Sequence, residues 1–163
     1  MRLTDQTILE ARIREHCLGK AALVVDDDSL CRDVVAYVLK AVGFECDTAN
    51  DGLEALELAT QRKYSLIITD IQMPNMDGFE LCAALRELES HASTPIFAAS
   101  SDASIDVLEV LVTRPFNEFF SKPIDWPLFY LAILHAMDRA SLSEILCASI
   151  KNTLSLISTP TDS

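Results

Sequence analysis

Five short strand-like runs, separated by segments of helical length, constrain the fold of this chain more than any other feature. They lie at 21–25, 44–49, 65–69, 94–99 and 117–121. Those at 21–25 and 65–69 are apolar and rich in β-branched residues, as expected of buried strands, and the third of the five, 65–69, ends abruptly at a turn. Amphipathic helices are expected at 29–41, 53–62, 78–88, 104–112 and 126–138. Their apolar faces read as Val34, Val35, Val38 and Leu39 in the first, Leu53, Leu56 and Ala59 in the second, and Leu81, Leu85 and Leu88 in the third. Gly43 stops the first helix, Asn50-Asp51-Gly52 turns into the second, and Pro127 sits in the first turn of the last, a favoured place. Strand and helix alternating five times argue for an α/β fold with a parallel sheet covered on both faces.

The flanks add helices of less definite purpose. Residues 4–18 place Leu9, Ile13 and Cys17 on a weak stripe, read as a solvated leader helix ended by Gly19. Residues 141–157 carry Leu142, Ile145, Leu146, Ile150, Leu154 and Ile157 on one stripe, and 158–163 read as a frayed tail. The domain division expected is therefore 1–19, 20–139 and 140–163. Residues 128–137 are apolar nearly all round, so that helix needs cover on more than one side. Either 141–157 folds back on it or another chain packs there, which suggests a homodimer or partner interface. His135 within this run is expected to be a packed core residue.

Charge excludes some functions. The chain carries 13 Lys and Arg against 25 Asp and Glu, a formal net charge of −12. Nucleic acid and anionic membrane surfaces both need clustered cations, so neither is an expected partner. The five cysteines (Cys17, Cys31, Cys46, Cys82, Cys147) are odd in number, scattered and without a Cys-x-x-Cys, which suits reduced thiols and a cytoplasmic location. The N-terminus is too charged for a signal peptide, and no apolar run reaches the roughly 18 residues of a membrane span. Residues after 138 are too few for a winged-helix output and hold one lysine, Lys151.

Chemistry gathers at the strand ends. The first strand runs into Asp26 and Asp27, the third into Asp70, the fourth into Ser100 and the fifth into Lys122. In a parallel sheet the carboxyl ends lie side by side, and ligands bind beyond them. Three carboxylates there repel, and protonation or a bound cation must relieve them. All-oxygen ligation favours Mg²⁺, which keeps waters and shares phosphate oxygens. Lys122 supplies an ammonium and Ser100 a hydroxyl for further anionic oxygens. A carboxylate nucleophile so surrounded suits phosphoryl transfer, which is mostly positioning and charge neutralisation. Taken singly, each residue has a plainer role: Asp28 or Ser29 caps a helix, Asp70 opens a turn, Ser100 caps 104–112, and Lys122 is a surface lysine. Those roles do not explain why unlike polar groups share one end of four strands.

These residues resemble the receiver domain of two-component response regulators. The matching stretches are Leu23-Val-Val-Asp-Asp-Asp28, Ile67-Ile-Thr-Asp-Ile-Gln-Met-Pro-Asn-Met-Asp-Gly-Phe-Glu-Leu81, Ser100-Ser101 and Phe119-Phe-Ser-Lys-Pro123. Together they cover about 21–138. The resemblance implies a doubly wound five-stranded parallel sheet, order 2-1-3-4-5, with extra terminal helices. It implies that Asp70 takes a phosphoryl group from a phosphohistidine on a histidine kinase or histidine phosphotransfer protein. Mg²⁺ would be held by Asp26, Asp27, Asp70 and the backbone carbonyl of Gln72. Ser100 and Phe119 would be the switch pair, signalling to a downstream protein partner. Lys122 would contact the phosphoryl group and precede a cis Pro123. Gln72 and Asp102 would tune the lifetime of the phosphoryl group. Ser100 departs from the commoner threonine, and Pro115 from the usual glycine.

Two other readings differ in kind. An aspartyl-phosphate phosphatase also uses a strand-end Asp, Mg²⁺ and Lys, but Asp70-Ile-Gln72 breaks the Asp-x-Asp usual at its nucleophile. A pseudo-receiver, acting only as an interaction module, usually lacks the acids or the lysine, and this chain has them all. The expectation is a phosphoacceptor rather than a turnover enzyme, one that catalyses its own phosphorylation and dephosphorylation.

Overall fold

A computed structural model describes residues 3–102 and 116–139 of the chain. Strands β1 (Ala21–Val25), β2 (Glu45–Ala49), β3 (Leu66–Asp70), β4 (Ile96–Ser100) and β5 (Glu118–Ser121) form one parallel sheet in the order β2-β1-β3-β4-β5. Helices α1 (Leu3–Cys17), α2 (Ser29–Ala41), α3 (Gly52–Gln61) and α4 (Gly78–Glu87) precede α5 at 126–139. The helices expected at 104–112 and 141–157, the tail 158–163, and Pro115 lie outside the described residues.

Each residue of β1, β3 and β4 is buried, whereas the edge strands β2 and β5 are mixed. That is why the central runs are continuously apolar while β2 reads Glu-Cys-Asp-Thr-Ala. Alternate strand residues feed two cores. Ala22, Val24, Leu66, Ile68 and Phe97 join α2 and α5 on one face, while Leu23, Val25, Ile67, Ile96 and Ala98 join α3 and α4 on the other. Side-chain oxygens fix where the helices begin. Asp28 accepts from the N–H groups of Leu30 and Cys31, Asp51 from that of Glu54, and Asp77 forms a reciprocal capping box with Glu80. Placing these three acids at helix starts also sets each helix running back from the carboxyl end of the preceding strand.

Some expected faces shift. In α2 the buried set is Val35, Ala36 and Leu39, and Val34 is 43 % exposed. In α3 the buried positions are Gly52, Ala55 and Ala59, so small residues face the sheet and Leu53 is exposed. His135 is exposed on α5 rather than packed, because Phe129, Tyr130, Ile133 and Met137 form the inward stripe of that helix. The larger correction concerns α1, which is not a solvated leader. Ile13 and Cys17 are both 0 % exposed and share the core cluster of α2 and α5, with Leu9 packed against it. Burying one Ile side chain is worth about 1.5–3 kcal/mol. His16 Nε2 lies 3.3 Å from Asp138 Oδ1 on α5, and Arg14 reaches the Ala41 carbonyl at the end of α2. Three apolar positions suffice because the groove between two helices surrounds them, a context no local spacing reveals.

A buried histidine, His91, anchors the turn into β4. Its Nε2 is 3.1 Å from the Tyr64 N–H, which can only donate, so the neutral ring carries its proton on Nδ1 and shares it with Ser90 Oγ at 2.8 Å. Burial holds its pKa below the ordinary 6.5, helped by the charges of Lys63 and Arg86. The unfolded chain therefore binds this proton before the native one does, and the native state loses stability as pH falls below 6.5. Urea denaturation at stepped pH should show this loss, up to about 1.4 kcal/mol per pH unit. His91→Gln should flatten that part of the slope; an unchanged slope would remove His91 from the account.

Candidate functional site

The carboxyl ends of β1 and β3 bring three acids to one rim. Asp26 follows β1 directly, Asp27 comes next, and Asp70 is the last residue of β3. One oxygen from each lies within 4.8 Å of the others. Asp26 is 4 % exposed and Asp70 9 %, while Asp27 stands in solvent. Backbone donors aim the two buried carboxylates. Asp26 Oδ1 accepts the Asp28 N–H at 2.9 Å, and Asp70 Oδ1 accepts that of Ile71 at 2.9 Å. The loop after β3 folds tightly onto the site. Asn75 there has φ +66°, and its amide donates to Asp51 Oδ2 at 2.6 Å. Gly78 opens α4 where any Cβ would strike the Asp70 carbonyl oxygen, so this position has no room for a side chain.

Lys122 enters from the end of β5. Its backbone N–H donates to the Ser100 carbonyl at 2.8 Å, and the Lys122–Pro123 peptide is cis, as the resemblance implies. Its Nζ lies 2.7 Å from Asp26 Oδ2 and 3.5 Å from Asp70 Oδ1. Burial works against the ammonium, but the hydrogen bond to Asp26 and the charges of Asp70 and Asp26 outweigh it, and the Lys122 pKa is raised. Burial also raises the Asp70 pKa; Lys122 pulls it down, Asp26 and Asp27 push it up, and the rise prevails. One lysine thus does not neutralise three acids, and the rim has room for further positive charge. The donor set is carboxylate oxygen, close-spaced and partly solvent-facing, which fits a hard divalent cation such as Mg²⁺.

Ser100 ends β4, is 2 % exposed, and accepts the Asp102 N–H on Oγ at 3.1 Å. Phe119 pairs with Ala98 across β4 and β5, so it shares a sheet face with Ser100, which lies two residues further along β4. It is half-buried against the α3–α4 core. Gln72 Nε2 donates to Asp102 Oδ2 at 2.6 Å, tying the loop after β3 to the loop after β4. The structure thus brings Asp26, Asp27, Asp70, Ser100 and Lys122 to one rim, with Gln72 and Asp102 joined beside it. Phe119 lies further down the sheet. Sequence reasoning missed Arg32, whose guanidinium donates to the Asp26 carbonyl at 2.7 Å. Its place one turn into the helix that follows the acids was the available signal.

The fold is that of a two-component receiver domain. A family model of the response regulator receiver domain matches residues 22–133, and the chain belongs to that family. It is 35 % identical over 103 residues to an uncharacterised 14.6 kDa protein of Leptolyngbya boryana, covering 63 % of this chain and 79 % of that one. It is 37 % identical over 102 residues to the sensor protein EvgS of Escherichia coli K12, again 63 % of this chain but 8 % of that protein. The likeness to this sensor protein is thus confined to one module of a much longer chain. Among solved structures, the chemotaxis response regulator CheY4 of Vibrio cholerae superposes with a TM-score of 0.62 at 30 % identity, over 74 % of this chain and 98 % of that one. The receiver domain of a Pseudomonas aeruginosa sensor histidine kinase, solved with magnesium in its active-site cleft, shares the fold at a TM-score of 0.67 and 22 % identity, over 74 % and 98 % of the two chains. Among the described residues no helix is long and apolar enough to cross a membrane.

Crowding three acids at one rim costs stability. Asp70→Asn should raise the urea midpoint in EDTA, by roughly 0.5–2 kcal/mol of stability. Lys122→Met should lower stability by about the same or more, since it strands two buried carboxylates. Asp70→Asn being less stable than the parent would count against this repulsion.

Proposed function

We propose that the chain accepts a phosphoryl group on Asp70 from a phosphohistidine of a histidine kinase or histidine phosphotransfer protein. The observation that carries this reading is the meeting of three acid oxygens within 4.8 Å, two of them on acids reached by the Lys122 ammonium. The Asp70 oxygen attacks phosphorus, the phosphorus–nitrogen bond breaks, and the imidazole leaves with the electron pair and takes up a proton. Lys122 shifts its donors from the acids to a phosphoryl oxygen, and Ser100 offers its hydroxyl to another. Mg²⁺, held by Asp26, Asp27, Asp70 and the Gln72 backbone carbonyl, would supply charge against the remaining oxygens. The protein is then a switch, not a turnover enzyme, and it catalyses its own dephosphorylation by hydrolysis.

The switch pair is Ser100 and Phe119. Ser100 moving toward the new oxygens gives up the Asp102 N–H and opens space on the shared sheet face, which Phe119 fills by turning inward. The tie between Gln72 and Asp102 spans the ends of β3 and β4, where it limits the approach of water and sets lifetime. The readout is a downstream protein partner, and Leu128 and Leu131, exposed on α5, suit a partner or homodimer contact there. The acidic charge and the absence of a membrane helix among the described residues support a cytoplasmic setting without nucleic acid.

Incubation with acetyl phosphate and Mg²⁺ tests the reading. About one acid-stable, base-labile phosphoryl group per chain is expected, none in Asp70→Asn, and none with EDTA. Multiple turnover would assign an enzyme, and no uptake would leave only an interaction module. In the chase, Gln72→Ala should speed loss of label by roughly 2–10-fold. Separately, Phe119→Ala should uncouple partner binding or dimerisation from phosphorylation, read by light scattering with and without donor; unchanged coupling would remove Phe119 from the switch.

A further inference from the structure

The opposite end of the sheet carries a second site of inverse charge. A cavity of about 430 Å³ opens beneath the amino ends of β1, β3, β4 and β5, closed on one side by the last turns of α5. Lys20, just before β1, Lys63, before β3, and Arg139 on α5 all line it, against the single carboxylate of Glu118. None of these three cations is in an ion pair among the described residues. In a chain of net charge −12, three separate segments bring to one hollow cations that have no ion pair among the described residues. The hydroxyls of Ser65 and Ser93 also line it, without a partner among the described residues. The volume lies in the range of small-molecule sites, about 300–1,000 Å³. Cations from distinct segments, with serines in the same lining, suit phosphate oxygens.

We propose that this cavity binds a small phosphorylated metabolite of nucleoside monophosphate size, its phosphate between Lys63, Lys20 and Arg139. Two cations beyond the charge of Glu118 match a phosphate dianion. The site is separate from the acids at the carboxyl ends of the strands, and its existence does not depend on phosphoryl transfer to Asp70.

Calorimetric titration of the full chain with AMP and with inorganic phosphate, in EDTA, tests the assignment. Without a divalent cation the acidic rim repels both probes, so any binding reports on the basic cavity. Saturable binding of either probe is expected, weakened about tenfold or more by Lys63→Ser or Arg139→Ser and kept in Lys63→Arg. Both lost side chains are solvent-exposed, so the urea midpoint should hold, and phosphoryl uptake on Asp70 should be unchanged. No saturation by either probe at millimolar concentration, or binding indifferent to both serine substitutions, would overturn the proposal.

Discussion

The ammonium of Lys122 is the one group on which the rest of this site depends. It reaches Asp26 at 2.7 Å and Asp70 at 3.5 Å, in surroundings where water screens little. Without it two buried carboxylates would face each other and Asp27 uncompensated. With it, the site keeps a net negative charge that is costly yet tolerable, and stays ready for more positive charge. The fold supplies the reach. A lysine one residue beyond β5 stands two strands away from β3, yet the sheet twist and the Lys122 N–H bond to Ser100 turn its stem across the rim.

Helix starts and strand ends do the rest. Asp28, next to Asp26 and Asp27, is spent as a cap, and Asp26 takes the Asp28 N–H in return. The three consecutive acids thus divide their labour: one fixed inward, one solvent-facing, one tied to helix α2. Thr69 donates its hydroxyl to the Asp70 carbonyl at 2.8 Å, and the same carbonyl presses on Gly78. Backbone around Asp70 is therefore held from both sides, which is what the proposed role of Asp70 asks of a scaffold.

Most of this was legible in the sequence. Strand alternation pointed to the sheet, and the polar residues ending four of the five runs marked the rim, because a parallel sheet forces those ends together. What escaped reading depended on tertiary neighbours. Ile13 and Cys17 look like a thin stripe until α2 and α5 close around them. Val34 and Leu53 are apolar by composition but lie on solvent faces, displaced by the small Ala36, Ala55 and Ala59 that let helix approach sheet. His135 sits in an apolar run yet points outward, while the buried histidine proved to be His91, whose role rests on a hydrogen bond to residue Tyr64, far along the chain. Arg32 had only a helical turn's offset to announce it.

The docking of α1 bears on where this protein may be cut. The family match begins at residue 22, but the hydrophobic unit begins a full helix earlier. Trimming to the match would take Leu9, Ile13 and Cys17 out of the core cluster they share with α2 and α5, opening a sealed seam to water. The portion inherited as a recognisable module is thus smaller than the portion that is solvent-proof, and the chain's own first helix is the lid that makes up the difference.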